Sequence, residues 1–171
     1  PWNYPLLLLF WKLAPALAAG NCVIAKPSEL TPLSTLALAP LLHELPPGTV
    51  QLIAGGGETG AALVASPEVD GIAFTGSTAT GKRIATAAID RMARVNLEMG
   101  GKDAIIVDRE ADLDDAAAAI VTSAFEFQGQ KCSAASRAYV PQSLWDRMGQ
   151  QLCDEANSLT QGDVTDFGNF M

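Results

Sequence analysis

Histidine occurs once, cysteine three times, and aromatic residues make up only 6% of the 171 residues. The cysteines, at positions 22, 132 and 153, are widely spaced, odd in number and outside any CxxC pattern. Neither a disulfide framework nor a metal site is therefore indicated, and a reducing compartment fits better. Basic residues are also scarce, 11 against 19 acidic, which gives a formal net charge of -8 and an isoelectric point near 4.5. That balance argues against nucleic-acid and anionic-membrane partners, which need a basic footprint. Any bound phosphate must then be held by local devices. The most apolar run, Pro5 to Trp11, is interrupted by Lys12 and falls far short of the roughly 20 residues that span a bilayer. No basic stretch precedes the turn-like Pro1-Trp-Asn-Tyr-Pro5, so no signal peptide is visible, and a cytoplasmic or mitochondrial-matrix location is expected.

What the chain does have is apolar residues, 49% of the total, with a mean hydropathy of +0.19, enough to bury one sizeable core. Short β-rich runs bounded by Gly, Pro or charge read as strands at 22–25, 50–53, 71–74, 94–97 and 104–107. Ala/Leu periodicity predicts helices at 6–19, 32–45, 59–65, 80–89, 112–127 and 143–159. Strand and helix taking turns make βαβ units, hence an α/β fold with a parallel sheet covered on both faces.

Three strand-to-helix junctions could meet a ligand. Gly55-Gly-Gly-Glu-Thr-Gly60 satisfies G-x-G-x-x-G, but the acidic residue expected about 20 positions later to hold a ribose is absent, so it reads better as a Gly-rich packing turn. Phe74-Thr-Gly-Ser-Thr-Ala-Thr-Gly-Lys82 opens a helix with free N–H groups and hydroxyls, suited to a pyrophosphate or to plain Ser/Thr capping. Ala25-Lys-Pro-Ser-Glu29 sets a Lys and a Glu three apart at a strand end, where they could bond a ribose diol or simply face solvent. Beside these stand a carboxylate and a thiol, Glu98 and Cys132, 34 residues apart (132 minus 98). A thiol can form a covalent intermediate and a carboxylate can activate water to release it.

Taken together, Pro1-Trp-Asn-Tyr-Pro5, Ala25-Lys-Pro-Ser-Glu29, Phe74-Thr-Gly-Ser77, Leu97-Glu-Met-Gly-Gly-Lys102 and Gly129-Gln-Lys-Cys132 resemble, in order and spacing, the motifs of the aldehyde dehydrogenase superfamily. The segments Gln128 to Arg137 and Gly162 to Gly168 look most like the pyrroline-5-carboxylate (glutamate semialdehyde) dehydrogenase branch. The resemblance implies a Rossmann-like, parallel-sheet cofactor-binding domain over 1–97 and the first part of an α/β catalytic domain over 98–171. It implies oxidation of a small-molecule aldehyde, glutamate 5-semialdehyde in the narrower branch, by a homo-oligomeric parent protein.

By the same resemblance, Cys132 is the nucleophile, and Asn3, with the Cys132 N–H, holds the developing oxyanion. Glu98 activates water against the thioester. These roles call for an activated thiol and a carboxylate of raised pKa. For the cofactor, Lys26 and Glu29 would take the adenosine ribose, with Ser28 between them. Ser77 would take the pyrophosphate, Gly76 beside it; Trp2 and Phe74 would line the path, and Gly100 would lie close to the nicotinamide. A carboxylate at Glu29 would repel a 2'-phosphate, which favours NAD, although Lys26 can offset it and admit NADP. Ser133, after the nucleophile, would contact a substrate carboxylate.

Bland readings stand beside these. Cys22 and Cys153 read as small hydrophobes, Asn3 as a turn residue, Glu98 as a strand-end charge, and Lys82 or Lys102 as solvated. A cysteine hydrolase would need a base for Cys132, and the chain offers only His43, in an ordinary helix. A non-catalytic relative is the other alternative: the chain opens inside one motif and stops at Asn169-Phe-Met171, as expected of a partial sequence.

Overall fold

A computed structural model describes residues 1–171. Residues divide into two compact units, Pro1–Met99 and Gly100–Met171.

In the first unit, α1 (Pro5–Ala18) leads to β1 (Val23–Ala25), short helices α2 (Leu33–Leu36) and α3 (Ala39–Leu42), and β2 (Val50–Leu52). Then follow α4 (Gly57–Ala65), β3 (Gly71–Gly76), α5 (Thr78–Ile89) and β4 (Arg94–Met99). Strands pair in parallel through their crossovers: β1 with β2, and β3 with β4 over six residues from Gly71↔Arg94 to Gly76↔Met99. The expected parallel sheet takes the form of two-stranded ladders, β1–β2 and β3–β4 in this unit. Parallel sense and βαβ order agree with expectation. The single helix expected over 32–45 is two, because Pro40 has no N–H to offer the Leu36 carbonyl and the chain restarts as α3, with a proline in its first turn.

The unit's core takes Leu8 and Leu13 from α1, Ala25 from β1, Val64 from α4 and Ile84 and Ala88 from α5, all nearly or fully buried. Ile84 and Ala88 stand one helical turn apart on the buried face of α5. Gly81 lies on that face as well, where a Cβ would meet the Met99 sulfur at 2.5 Å, so a larger residue there would require the Met99 side chain to shift. Arg91 ties the connections together by donating from Nε to the Val64 carbonyl (3.0 Å) and from Nη1 to the Val69 carbonyl (2.6 Å).

The second unit holds β5 (Asp103–Ile106), α6 (Leu113–Phe125), a 3-10 turn (Glu126–Gly129), β6 (Ala135–Tyr139) and α7 (Gln142–Asn157). Asp112 caps α6 by accepting from the Asp114 and Asp115 N–H groups, an arrangement that stabilises a helix by about 1 kcal/mol. Leu144, Met148 and Leu152, spaced by four, lay one stripe of α7 against Ala117 and Ile120 of α6 and Val107. Met148 is fully buried, and truncating such a side chain costs about 2–5 kcal/mol. Strand β6, paired in parallel with β5 across a register shift at Asp103/Ala104, was not among the expected strands. No helix is long and apolar enough to cross a membrane.

Candidate active site

Glu98 lies one residue from the end of β4, and its register partner on β3 is Thr75. Paired residues of neighbouring strands put their side chains on the same face, and here the Thr75 hydroxyl donates to Glu98 Oε2 at 3.3 Å. A second donor comes from α1. Leu8 and Lys12 are four apart, so the face that buries Leu8 also carries Lys12 inward, and Lys12 Nζ reaches the same Oε2 at 3.2 Å. The Lys12 side chain is 20% exposed and that of Glu98 is 48%, so the pair contributes under about 1 kcal/mol to stability. Its effect is to orient: both donors hold Oε2. Neither Lys12 nor Thr75 was singled out from the sequence. The signals were there, a lysine breaking the most apolar run and a threonine inside Phe74-Thr-Gly-Ser77.

Around the first motif, Tyr4 takes a left-handed conformation (φ 45, ψ 52) before Pro5 opens α1. The Thr31 hydroxyl donates to the Trp2 carbonyl at 3.0 Å, which ties Trp2 and Asn3 to the segment carrying Lys26, Ser28 and Glu29. Asn3 is partly buried. Lys26 donates to the carbonyls of Pro27 (2.9 Å) and Gly55 (2.8 Å) and lies 3.9 Å from Glu29 Oε2. The Gly55–Gly60 loop thus seats Lys26. Gly55 has φ 154 and a Cβ there would strike the Thr59 side chain, while Gly60 packs against the Lys26 stem.

At the end of β3, the Phe74 ring fills the space where a Cβ on Gly76 would stand, 2.5 Å away. Ser77 caps α5, accepting from the Thr80 N–H at 3.2 Å and donating its own hydroxyl to Thr80 Oγ1 at 3.0 Å. The plain capping role is thus real, and it sits at the N-terminus of a twelve-residue helix.

In the second unit, Cys132 and Ser133 are exposed, in the turn that leads into β6. Cys132 lies beyond the helix expected over 112–127. That helix instead stops at Phe125, where Glu126 turns extended (ψ 134), and Phe127 and Gln128 then take left-handed φ values of 57 and 56. Gly100 opens this unit with no atom within 4 Å of where its Cβ would be.

The family model for the aldehyde dehydrogenase family matches residues 1–171. Mouse retinaldehyde dehydrogenase 3 is 46% identical over 170 residues, 97% of this chain and 33% of its own length. Betaine aldehyde dehydrogenase of Vibrio vulnificus is 42% identical over 164 residues, 95% of this chain and 34% of its own. The crystal structure of PnpE in complex with nicotinamide adenine dinucleotide superposes with a TM-score of 0.93 at 42% identity, covering all of this chain and 36% of that one. The chain spans about a third of the length of the curated relatives it matches. Motifs, fold and relatives agree, and the chain belongs to the aldehyde dehydrogenase family.

Proposed function

We propose that the protein carrying this chain oxidises an aldehyde to a carboxylic acid with NAD. The observation that carries this is the arrangement of Glu98, whose Oε2 takes both the Thr75 hydroxyl and the Lys12 ammonium. Held by one oxygen, the carboxylate keeps Oε1 to accept a proton from water.

In this mechanism the Cys132 thiolate bonds to the aldehyde carbon, and the carbonyl oxygen becomes an oxyanion. The Asn3 amide and the Cys132 N–H are the donors assigned to that charge, which such groups stabilise more in the transition state than in the ground state. NAD, when bound, supplies the acceptor for the hydride that leaves this carbon. Glu98 then takes a proton from water as its oxygen attacks the Cys132 thioester; the C–S bond breaks, the acid leaves and the thiolate is restored.

The residues suit an anionic dinucleotide. Of the first-turn N–H groups of α5, that of Thr80 is taken by Ser77 Oγ, while those of Thr78 and Ala79 have no acceptor within the helix and favour a phosphate; Lys26 and the half-exposed Glu29 suit a ribose, with Ser28 beside them. Trp2, Phe74, Gly76 and Gly100 complete the assigned set, and the NAD complex of PnpE supports NAD over NADP. We assign residues 1–97 to cofactor binding and 98–171 to the thiol chemistry.

Glutamate 5-semialdehyde is the proposed substrate, with Ser133 on its carboxylate. A broader aldehyde range is the second reading, favoured by relatives named for retinaldehyde and betaine aldehyde. NADH formation by the full-length protein with glutamate semialdehyde, betaine aldehyde and propanal tests both. Strong preference for the first supports the Ser133 contact; preference for either of the others removes it, and no NADH with any aldehyde defeats the dehydrogenase assignment.

A further inference from the structure

Four non-glycine residues have positive φ, and two of them, Phe127 and Gln128, are consecutive. Such residues persist only where their surroundings over-determine them. The surroundings here are specific. The Gln130 N–H donates to the Phe127 carbonyl at 3.1 Å, and Gln130 Nε2 bonds the same carbonyl and Gln128 Oε1. Gly129 has φ 67, and a Cβ on it would stand 2.8 Å from the Ala124 carbonyl oxygen. Beyond the turn, the Ala135 N–H returns to Ser123 Oγ of α6 at 3.2 Å. Across the turn, Lys131 forms an ion pair with Glu126; the Lys131 side chain is 20% exposed and that of Glu126 52%. The residue that opens the turn is thereby bound to the residue just before Cys132.

We propose that the Glu126–Lys131 ion pair is a positioning latch, closing the strained turn and so fixing where the Cys132 thiol stands for attack. This rests on Cys132 being the nucleophile. Neither partner has to touch the aldehyde. A half-exposed ion pair contributes little to global stability, whereas misplacing a reacting group by 1 Å costs on the order of a hundredfold in rate. Loss of the latch should therefore appear in the acylation step and in thiol reactivity, not in the melting temperature.

The test uses the full-length protein with Glu126→Gln, Lys131→Met and the charge-swapped pair Glu126→Lys with Lys131→Glu. Each single variant is expected to slow the first-turnover NADH burst roughly tenfold, with NAD affinity and Tm unchanged. In a Cys22→Ser, Cys153→Ser background, the alkylation rate of Cys132 by iodoacetamide should change by a similar factor. The swapped pair should return both rates to within about threefold of the parent, since an ion pair is indifferent to which end is cationic. Single variants at the parent's burst and alkylation rates overturn the latch. So does a swapped pair no better than the singles, including the case where all three lose Tm together, which assigns the residues to folding. Cys132→Ser separates the two ideas: NADH turnover in that variant defeats the nucleophile, while an inactive Cys132→Ser beside unaffected latch variants defeats the latch alone.

Discussion

Glu98 stands on a six-residue strand whose register against β3 sets Thr75 beside it, whereas Cys132 stands in a turn behind two consecutive left-handed residues. Six register pairs hold the first position, with Lys12 adding a side-chain tie. The second is held by an ion pair, a glutamine bridging back to Phe127 and Gln128, a glycine with no room for a Cβ, and isolated backbone bonds such as Gln130 N–H to the Phe127 carbonyl. Backbone ladders are redundant, so losing one contact beside Glu98 should change only what that contact does. A turn assembled from separate contacts is less redundant than a ladder, and damage to one should spread to the residue it presents.

The largest effects are expected at the two residues themselves. Cys132→Ala should abolish NADH formation and any esterase activity in the full-length protein while leaving NAD affinity intact; measurable turnover by this variant would remove the thiol from the reaction. Glu98→Gln keeps the shape and removes the carboxylate proposed to activate water. A fast first release of NADH should survive, with the steady state slowed by about 10²–10⁴, the usual contribution of a general base. A lost burst with normal deacylation would contradict its assignment to water activation.

Next in size is Gly129→Ala. The new side chain would take a left-handed conformation, which costs about 1–2 kcal/mol, and would also press on the Ala124 carbonyl oxygen, 2.8 Å from the added carbon. Amide hydrogen exchange from Gln130 to Ala135 should accelerate by roughly tenfold or more, since 1.4 kcal/mol is a factor of ten, while amides of β3 and β4 stay at their parent rates. Equal acceleration in both places would mean that the turn and the strand pair share one cooperative unit, and the contrast between the two supports would fail.

The same contrast explains what could be read from residues alone. Strands β1 to β5 are legible because each is a short apolar or β-branched run between breakers. Strand β6, Ala-Ser-Arg-Ala-Tyr, is mostly exposed and has neither alternation nor a β-branched core, so its membership follows only from pairing with β5. Glu98 and Cys132 could be singled out by motif. The support of Glu98 could not, because Lys12 is 86 residues away in the chain and meets it only once α1 and the β3–β4 pair have packed. Helix α6 reads as running to Phe127, since nothing in Phe125-Glu-Phe-Gln-Gly-Gln130 marks two left-handed residues other than the glycine after them. Left-handed Phe and Gln are a tertiary outcome imposed by the contacts that close the turn, not a local preference.

The smallest expected effect is also the sharpest test of redundancy. Thr75→Val keeps volume and β-branching, so the register of β3 against β4 should hold, and only the 3.3 Å hydroxyl contact to Glu98 Oε2 is lost. Lys12 still bonds that oxygen. One half-exposed hydrogen bond with a surviving partner is worth about 0.5–1.5 kcal/mol, so steady-state turnover should fall roughly two- to tenfold with the NADH burst unchanged. Combining Thr75→Val with Lys12→Met removes both tethers and should cost more than the product of the single effects, because the carboxylate then loses its last orienting contact. If the double variant shows only the product, each tether acts independently and the strand alone orients Glu98. If Thr75→Val by itself matches Glu98→Gln, the position of the base is as fragile as the turn that presents Cys132, and the distinction between a ladder-held and a side-chain-held group does not hold in this protein.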